Sequence, residues 1–217
     1  MLLKTEFNLI KNIVLVLWLG HVSMSITYAQ AIQCESQNTS SALQKLCHDD
    51  LKQLRHKFNE KYMTAFLVTD APTRLVDDTN TLWLNRIQQC KNMQCYKQQF
   101  DLRLEDLNFY TSMNQSLTQH FIKYEQGQIA KQPVHLQVHQ LTKERIKIEG
   151  IAYRNPNNRK EKQIVSLLAY TTANKKNEII DNEHDCKYQL NFQKAILVIK
   201  SNQKGCERFV GTYRLYD

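Results

Sequence analysis

The chain has 217 residues, with 29 Lys and Arg against 21 Asp and Glu, a formal net charge of +8, and 42% hydrophobic residues. Only five glycines are present, which excludes a Gly-rich phosphate loop. The length suits one large domain or two small ones, each with a modest core.

Residues 1–31 read as an export signal. Lys4 and Lys11 flank the start, Ile13 to Leu19 is apolar, and Ala29-Gln30-Ala31 offers an A-x-A site, so cleavage is expected after Ala31. The apolar run is shorter than the about 20 residues a spanning helix needs. No second such run follows, so the mature chain is expected to carry no transmembrane segment and to be periplasmic or secreted. Cys34 follows Ala31-Ile32-Gln33 and lacks the small residue that a lipid-attachment cysteine has directly before it.

From Ser41 to about Leu67, apolar residues including Leu43, Leu46, Leu51, Leu54, Phe58, Tyr62 and Ala65 recur three or four apart, the spacing of one buried helical stripe. Asp70 and Pro72 mark a stop and a restart. A second stripe runs through Leu75, Leu82, Trp83, Arg86 and Ile87 to Cys90, and a third from Tyr96 through Phe100, Leu104 and Leu107 towards Phe121.

The period then changes from 3.6 to 2. Val134, Leu136 and Val138 alternate with His135, Gln137 and His139, as in a strand with one wet face. Ile146 and Ile148 continue the pattern. Further strands are expected near 163–172, 186–192, 195–200 and 207–216, separated by Asn-, Lys- and Gly-containing turns. The expected fold class is α+β: a disulfide-stapled antiparallel helical domain over residues 32–123, then a small antiparallel β barrel or sandwich over residues 134–217. Charge follows this division. Residues 32–133 hold 12 basic and 11 acidic residues (+1), and residues 134–217 hold 15 and 9 (+6).

An even cysteine count in an exported chain is read as disulfides. The two predicted helices form a hairpin with its turn near residue 70, so Cys47 is expected to pair with Cys90 and, at the open end, Cys34 with Cys95. The competing pairing, Cys34 with Cys47 and Cys90 with Cys95, requires Cys34 to fold back over a helix start. Cys186 and Cys206 are expected to close a third bridge. Zinc fits these cysteines poorly, because the four-residue gap is wide and no histidine pair stands at ligand spacing.

No catalytic constellation emerges. His135 and His139, four apart on a strand, lie about 13 Å apart and cannot share an ion; both are expected to face solvent. His48 and His56 sit two helical turns apart. The carboxylate pairs Asp49-Asp50, Asp77-Asp78 and Glu105-Asp106 read as solvated helix surface. No G-x-S-x-G elbow exists, and oxidised cysteines offer no nucleophile. The expectation is therefore no enzyme, no metal and no cofactor. Basic residues fall on predicted hairpin tips: Lys143, Arg154, Arg159, Lys160, Lys162, Lys175, Lys176, Lys200 and Lys204. Arg154, Arg159, Lys160, Lys162, Lys175 and Lys176 are the candidate anion-binding set, for an anionic glycan or lipid of the envelope. Aromatics are not interleaved with them, which argues against nucleic acid.

The segment "CESQNTSSALQKLCHDDLKQLRHKFNEKY", the Trp-Leu-x-Arg centre at Trp83 to Arg86, and "CKNMQCYKQQFDLRLEDL" together resemble the N-terminal domain of LprI-type lysozyme inhibitors over about residues 34–110. The register covers four cysteines, Trp83, Arg86 and Arg103. The resemblance implies an exported, disulfide-stapled helical domain and, as partner, a lysozyme or another envelope protein. The sequence departs from the family pattern just after Cys34, where polar residues replace a small one.

Overall fold

Three helices lie against a nine-stranded antiparallel sheet that curls into a nearly closed barrel. The structure, a computed structural model, describes residues 32–34, 41–112, 115–158 and 163–216. The proposed export signal, Arg159, Lys160 and Lys162 lie outside them. Residues Ala31–Asp217 form one compact unit, and no described helix is long and apolar enough to cross a membrane.

The helices are α1 (Lys52–Val68), α2 (Thr73–Ile87) and α3 (Met93–Ser112). Pro72, with φ −55°, precedes α2, where its missing N–H costs no hydrogen bond. The predicted stripes meet in an aromatic cluster: ring centroids lie 4.6 Å apart for Phe58 and Trp83 and 5.3 Å apart for Trp83 and Phe100. Each fully buried side chain of this kind contributes roughly 1.5–3 kcal/mol.

The first helix is broken where an unbroken one was expected. A helical turn at Ser41–Gln44 and the 3-10 turns Lys45–Cys47 and Asp49–Leu51 meet at His48, which is extended at ψ 143°. The break decides the disulfides. Cys47 sits before it, off the axis of α1, and pairs with Cys34; Cys90, just past the end of α2, pairs with Cys95 in the first turn of α3. The expected Cys47–Cys90 and Cys34–Cys95 staples across the hairpin are therefore incorrect. Cα separations of 5.6 and 5.5 Å suit these short local loops. Cys186–Cys206 forms as expected, with Cα atoms 5.8 Å apart.

The strands are β1 (Thr118–Glu125), β2 (Gln128–Ile129), β3 (Val134–Gln140), β4 (Arg145–Tyr153), β5 (Ile164–Thr172), β6 (Glu178–Ile180), β7 (Lys187–Gln193), β8 (Ile196–Lys200) and β9 (Gly211–Tyr216). They run in the order β5-β4-β3-β1-β9-β8-β7-β6, with β2 paired to β1. β1 occupies a segment expected as the end of the third helix. Phe121 points into the barrel, while its neighbours His120 and Ile122 are buried on the outer face, so period 2 holds there. Gln126 and Gly127, at φ 54° and 79°, form the two-residue turn into β2.

The barrel interior is filled by one side of each strand, among them Leu136, Ile148, Leu167, Leu190, Leu197 and Tyr213. Gly150 keeps a close approach open, because a Cβ there would stand 2.4 Å from the Leu136 Cδ2 atom. At the seam between β5 and β6, fully buried Asp181 accepts hydrogen bonds from the Leu168 and Glu183 N–H groups and bonds His184 Nδ1 at 2.8 Å. Its carboxylate does for the two edge strands what a backbone ladder does elsewhere.

Candidate functional site

The outer faces of β1, β3, β4 and β5 do not meet water where α2 and α3 cover them. On β3, His139 is 2% exposed and His135 is half-buried, so the expectation that both face solvent is corrected; His120 on β1 is fully buried beside them. The helical layer covers the face that would be wet in an isolated sheet.

A partly open, mainly apolar cavity of about 230 Å³ lies in this interface. From the helices it is bordered by Leu82, Trp83, Arg86, Leu102, Arg103 and Asp106, and from the sheet by Ile122, His135, Gln137, Ile151, Tyr153 and Leu168. The apolar residues arrive at helical spacing on one side and at alternate strand positions on the other.

Arg86 is 5% exposed. Its Nε donates to Gln99 Oε1 at 2.7 Å, and its guanidinium carbon lies 4.4 Å from the Tyr153 ring centroid. The Nη1 and Nη2 atoms are buried without a partner among the described residues. Burial pulls the guanidinium pKa down to about 10, against the opposing pull of Tyr153 and Asp106, so it stays charged at neutral pH. Trp83, one turn earlier, donates from Nε1 to the Gln99 carbonyl at 2.9 Å.

Arg103 is held by Thr79 Oγ1 at 3.3 Å and by an ion pair with Asp106 at 3.9 Å, while its Nε is buried without a partner. Asp106 also accepts a short hydrogen bond from the Tyr153 hydroxyl. Burial raises the Asp106 carboxyl pKa against the lowering effect of Arg103, Tyr153 and Arg86. Asp106 is thus not solvated helix surface, whereas Glu105 is exposed as expected; Asp77 and Asp78 are engaged by the Tyr62 and Tyr216 hydroxyls.

Beyond Tyr110, His120 stacks on His135 with Nδ1 3.1 Å from Nε2. Burial lowers the His120 pKa to about 4 and carries His135 well below its ordinary value. His139 donates from Nε2 to Glu149 at 2.7 Å and accepts from the Thr118 hydroxyl at Nδ1. Burial pushes the Glu149 carboxyl up, but the bonds from His139 and Lys147 outweigh it and hold the pKa below the ordinary value. No group of three potential ligands stands at metal-binding geometry among the described residues.

Of the predicted basic set only Arg154, Lys175 and Lys176 lie among the described residues, and these three are not brought together. Arg154 is half-buried beside Gln163 at the start of β5, whereas Lys175 and Lys176 follow its end. Nine strand residues at about 3.3 Å each put roughly 30 Å between them. Lys176 lies 4.8 Å from the Phe192 ring centroid. The cavity residues were missed because Arg86 and Arg103 sit on stripes otherwise apolar; an arginine at such a position was the available signal.

Comparison with known proteins finds no matching family model, no matching curated protein and no matching solved structure.

Proposed function

We propose that this chain is an exported, non-enzymatic binding protein whose helical layer and barrel hold a small ligand between them. The observation that carries this reading is the apolar cavity of about 230 Å³ at their interface. Protein interiors close-pack and leave few voids larger than a water molecule, and pockets with a few convergent polar groups are the usual form of a ligand site. Export is supported by the three disulfides, with no free cysteine among the described residues, since such bonds persist in oxidising compartments.

The test is a thermal-shift series with hexanol, hexanoate and hexylamine on the oxidised mature protein and on Ile151→Phe, which fills the cavity. At least one compound stabilises the wild type and none stabilises the variant. Equal behaviour of the two proteins towards all three contradicts the reading.

A second reading keeps the lysozyme-inhibiting role that the resemblance implies. Met63, Leu67 and Val68 stand exposed near the end of α1, the kind of apolar surface a protein partner covers. The cationic balance of the chain opposes encounter with a cationic lysozyme, so close contacts must offset it. Stoichiometric loss of lysozyme activity in a cell-wall turbidity assay supports this role; unchanged clearing at micromolar protein excludes it for the lysozyme used.

A further inference from the structure

We infer that the cavity takes a monocarboxylate with an apolar body, its carboxylate gripped end-on by the Arg86 guanidinium. The inference rests on the reading of the cavity as a ligand site and adds the chemical class of the ligand.

The argument starts from unmet hydrogen-bonding capacity. Arg86 stays charged at neutral pH, and its Nη1 and Nη2 groups, buried at the cavity wall, have no partner among the described residues. Gln99 holds Nε on one edge and the Tyr153 ring covers one face. What is left is the edge formed by the two terminal nitrogens, a fork whose parallel N–H bonds match the two oxygens of a carboxylate. Arg103 adds an Nε without a partner among the described residues, so the unmet groups that the helices bring to the cavity wall belong to two arginines and are donors. The orphaned Gln137 Oε1 on the sheet side leaves room for one donor on the ligand.

Charge gives the valence. Glu149 is matched by Lys147 at 2.6 Å and by His139. Glu183 also borders the cavity but is exposed to solvent and bonded by the Ser166 hydroxyl; among the charges withdrawn from water that leaves Arg86 and Arg103 against Asp106, a surplus of one positive charge in a place where unpaired charge is costly. One anionic group cancels it. A doubly charged phosphate overshoots, and it would press its remaining oxygens against an apolar wall.

Size and wall chemistry give the body. The side chains of Leu82, Trp83, Leu102, Ile122, Ile151 and Leu168 offer no donors or acceptors beyond the Trp83 N–H, which Gln99 already takes. A volume of about 230 Å³ holds roughly eight water-sized groups at about 30 Å³ each. A short aliphatic or single-ring carboxylic acid is of that size.

The test is calorimetric titration of the oxidised mature protein with hexanoate, hexanol and hexylamine, repeated on Arg86→Gln. A hydrogen-bonded charge pair predicts that hexanoate binds the wild type more than about tenfold tighter than hexanol, and that Arg86→Gln removes the difference. Because Arg86→Gln can disturb folding, the wild-type comparison of the two ligands stands alone as a decisive result. Equal affinity for both overturns the inference while leaving the apolar cavity as a binding site. Tighter binding of hexylamine also overturns it. If no member of the series binds, the inference and the reading beneath it fall together, and the Arg86 fork is satisfied by water alone.

Discussion

Arg86 lies over Tyr153, with its guanidinium carbon 4.4 Å from the ring centroid, and the Tyr153 hydroxyl bonds Asp106 on the neighbouring helix. One barrel tyrosine thus fixes a cation from α2 and an anion from α3. The helical layer is docked on the sheet through polar contacts as well as apolar ones.

Tyr153→Phe keeps the ring and removes the hydroxyl. The largely buried Asp106 carboxylate then loses a donor, and a group left unsatisfied in this way costs about 1–3 kcal/mol. Urea unfolding is expected to show an unfolding free energy lowered by that amount, read as a lower midpoint with an unchanged slope. A variant as stable as the wild type contradicts the docking role.

Stability is expected to depend on pH through His120 and His135. Both are held neutral, His120 fully buried and His135 half-buried, with His120 held at about 4 by burial and by His139, against the opposing pull of Asp70. The unfolded chain titrates near 6.5, so between these values it binds more protons than the folded one. Stability is complete above about pH 6.5 and is lost as the pH falls towards 4, by roughly 3 kcal/mol for His120 alone. His120→Phe flattens that slope. Urea midpoints at pH 7 and pH 4.5 measure it; equal midpoints contradict the assignment.

The expected helix-spanning bridges fail for a local reason, the extended His48 between Cys47 and α1. Trypsin cleavage after Lys91 without reduction is expected to release the segment ending in Cys90-Lys91 joined to the one containing Cys95. Joining of the Cys90 segment to that of Cys47 contradicts the structure. Removing the Cys186–Cys206 bridge costs about 3 kcal/mol, and removing Cys90–Cys95 about 2, since the longer loop restricts the unfolded chain more.

Asp181 closes the seam between β5 and β6. Asp181→Ala strips two N–H groups and His184 of their acceptor and is expected to cost about 2–4 kcal/mol. Hydrogen exchange reads the effect where it should occur: the Leu168 amide loses protection before those of β3 and β4. Uniform loss across the barrel contradicts a local role.

Much of the architecture is legible in the sequence. Val134, Leu136 and Val138 fill the barrel as their alternation predicts, and Phe58, Trp83 and Phe100 meet as their helical spacing predicts. What periodicity does not carry is the second partner of a face. His135 and His139 alternate with valines as wet residues do, yet α2 and α3 cover them, a tertiary contact that leaves no trace in a window of ten residues. For the same reason β1, buried on both faces around His120, Phe121 and Ile122, reads as a continuation of the preceding helix. The candidate site was hidden likewise: Arg86 and Arg103 take up core positions in a helical stripe, and basic residues were sought on loops.

The central claim is that ligand binds between the helices and the barrel. Amide and side-chain chemical-shift mapping during a hexanoate titration of the oxidised mature protein tests it most directly. Saturable shifts at the Arg86 guanidinium, Gln99, Ile151 and Tyr153, with Lys175 and Lys176 unmoved, are the predicted result; shifts confined to those two loop lysines, or none at all, contradict it.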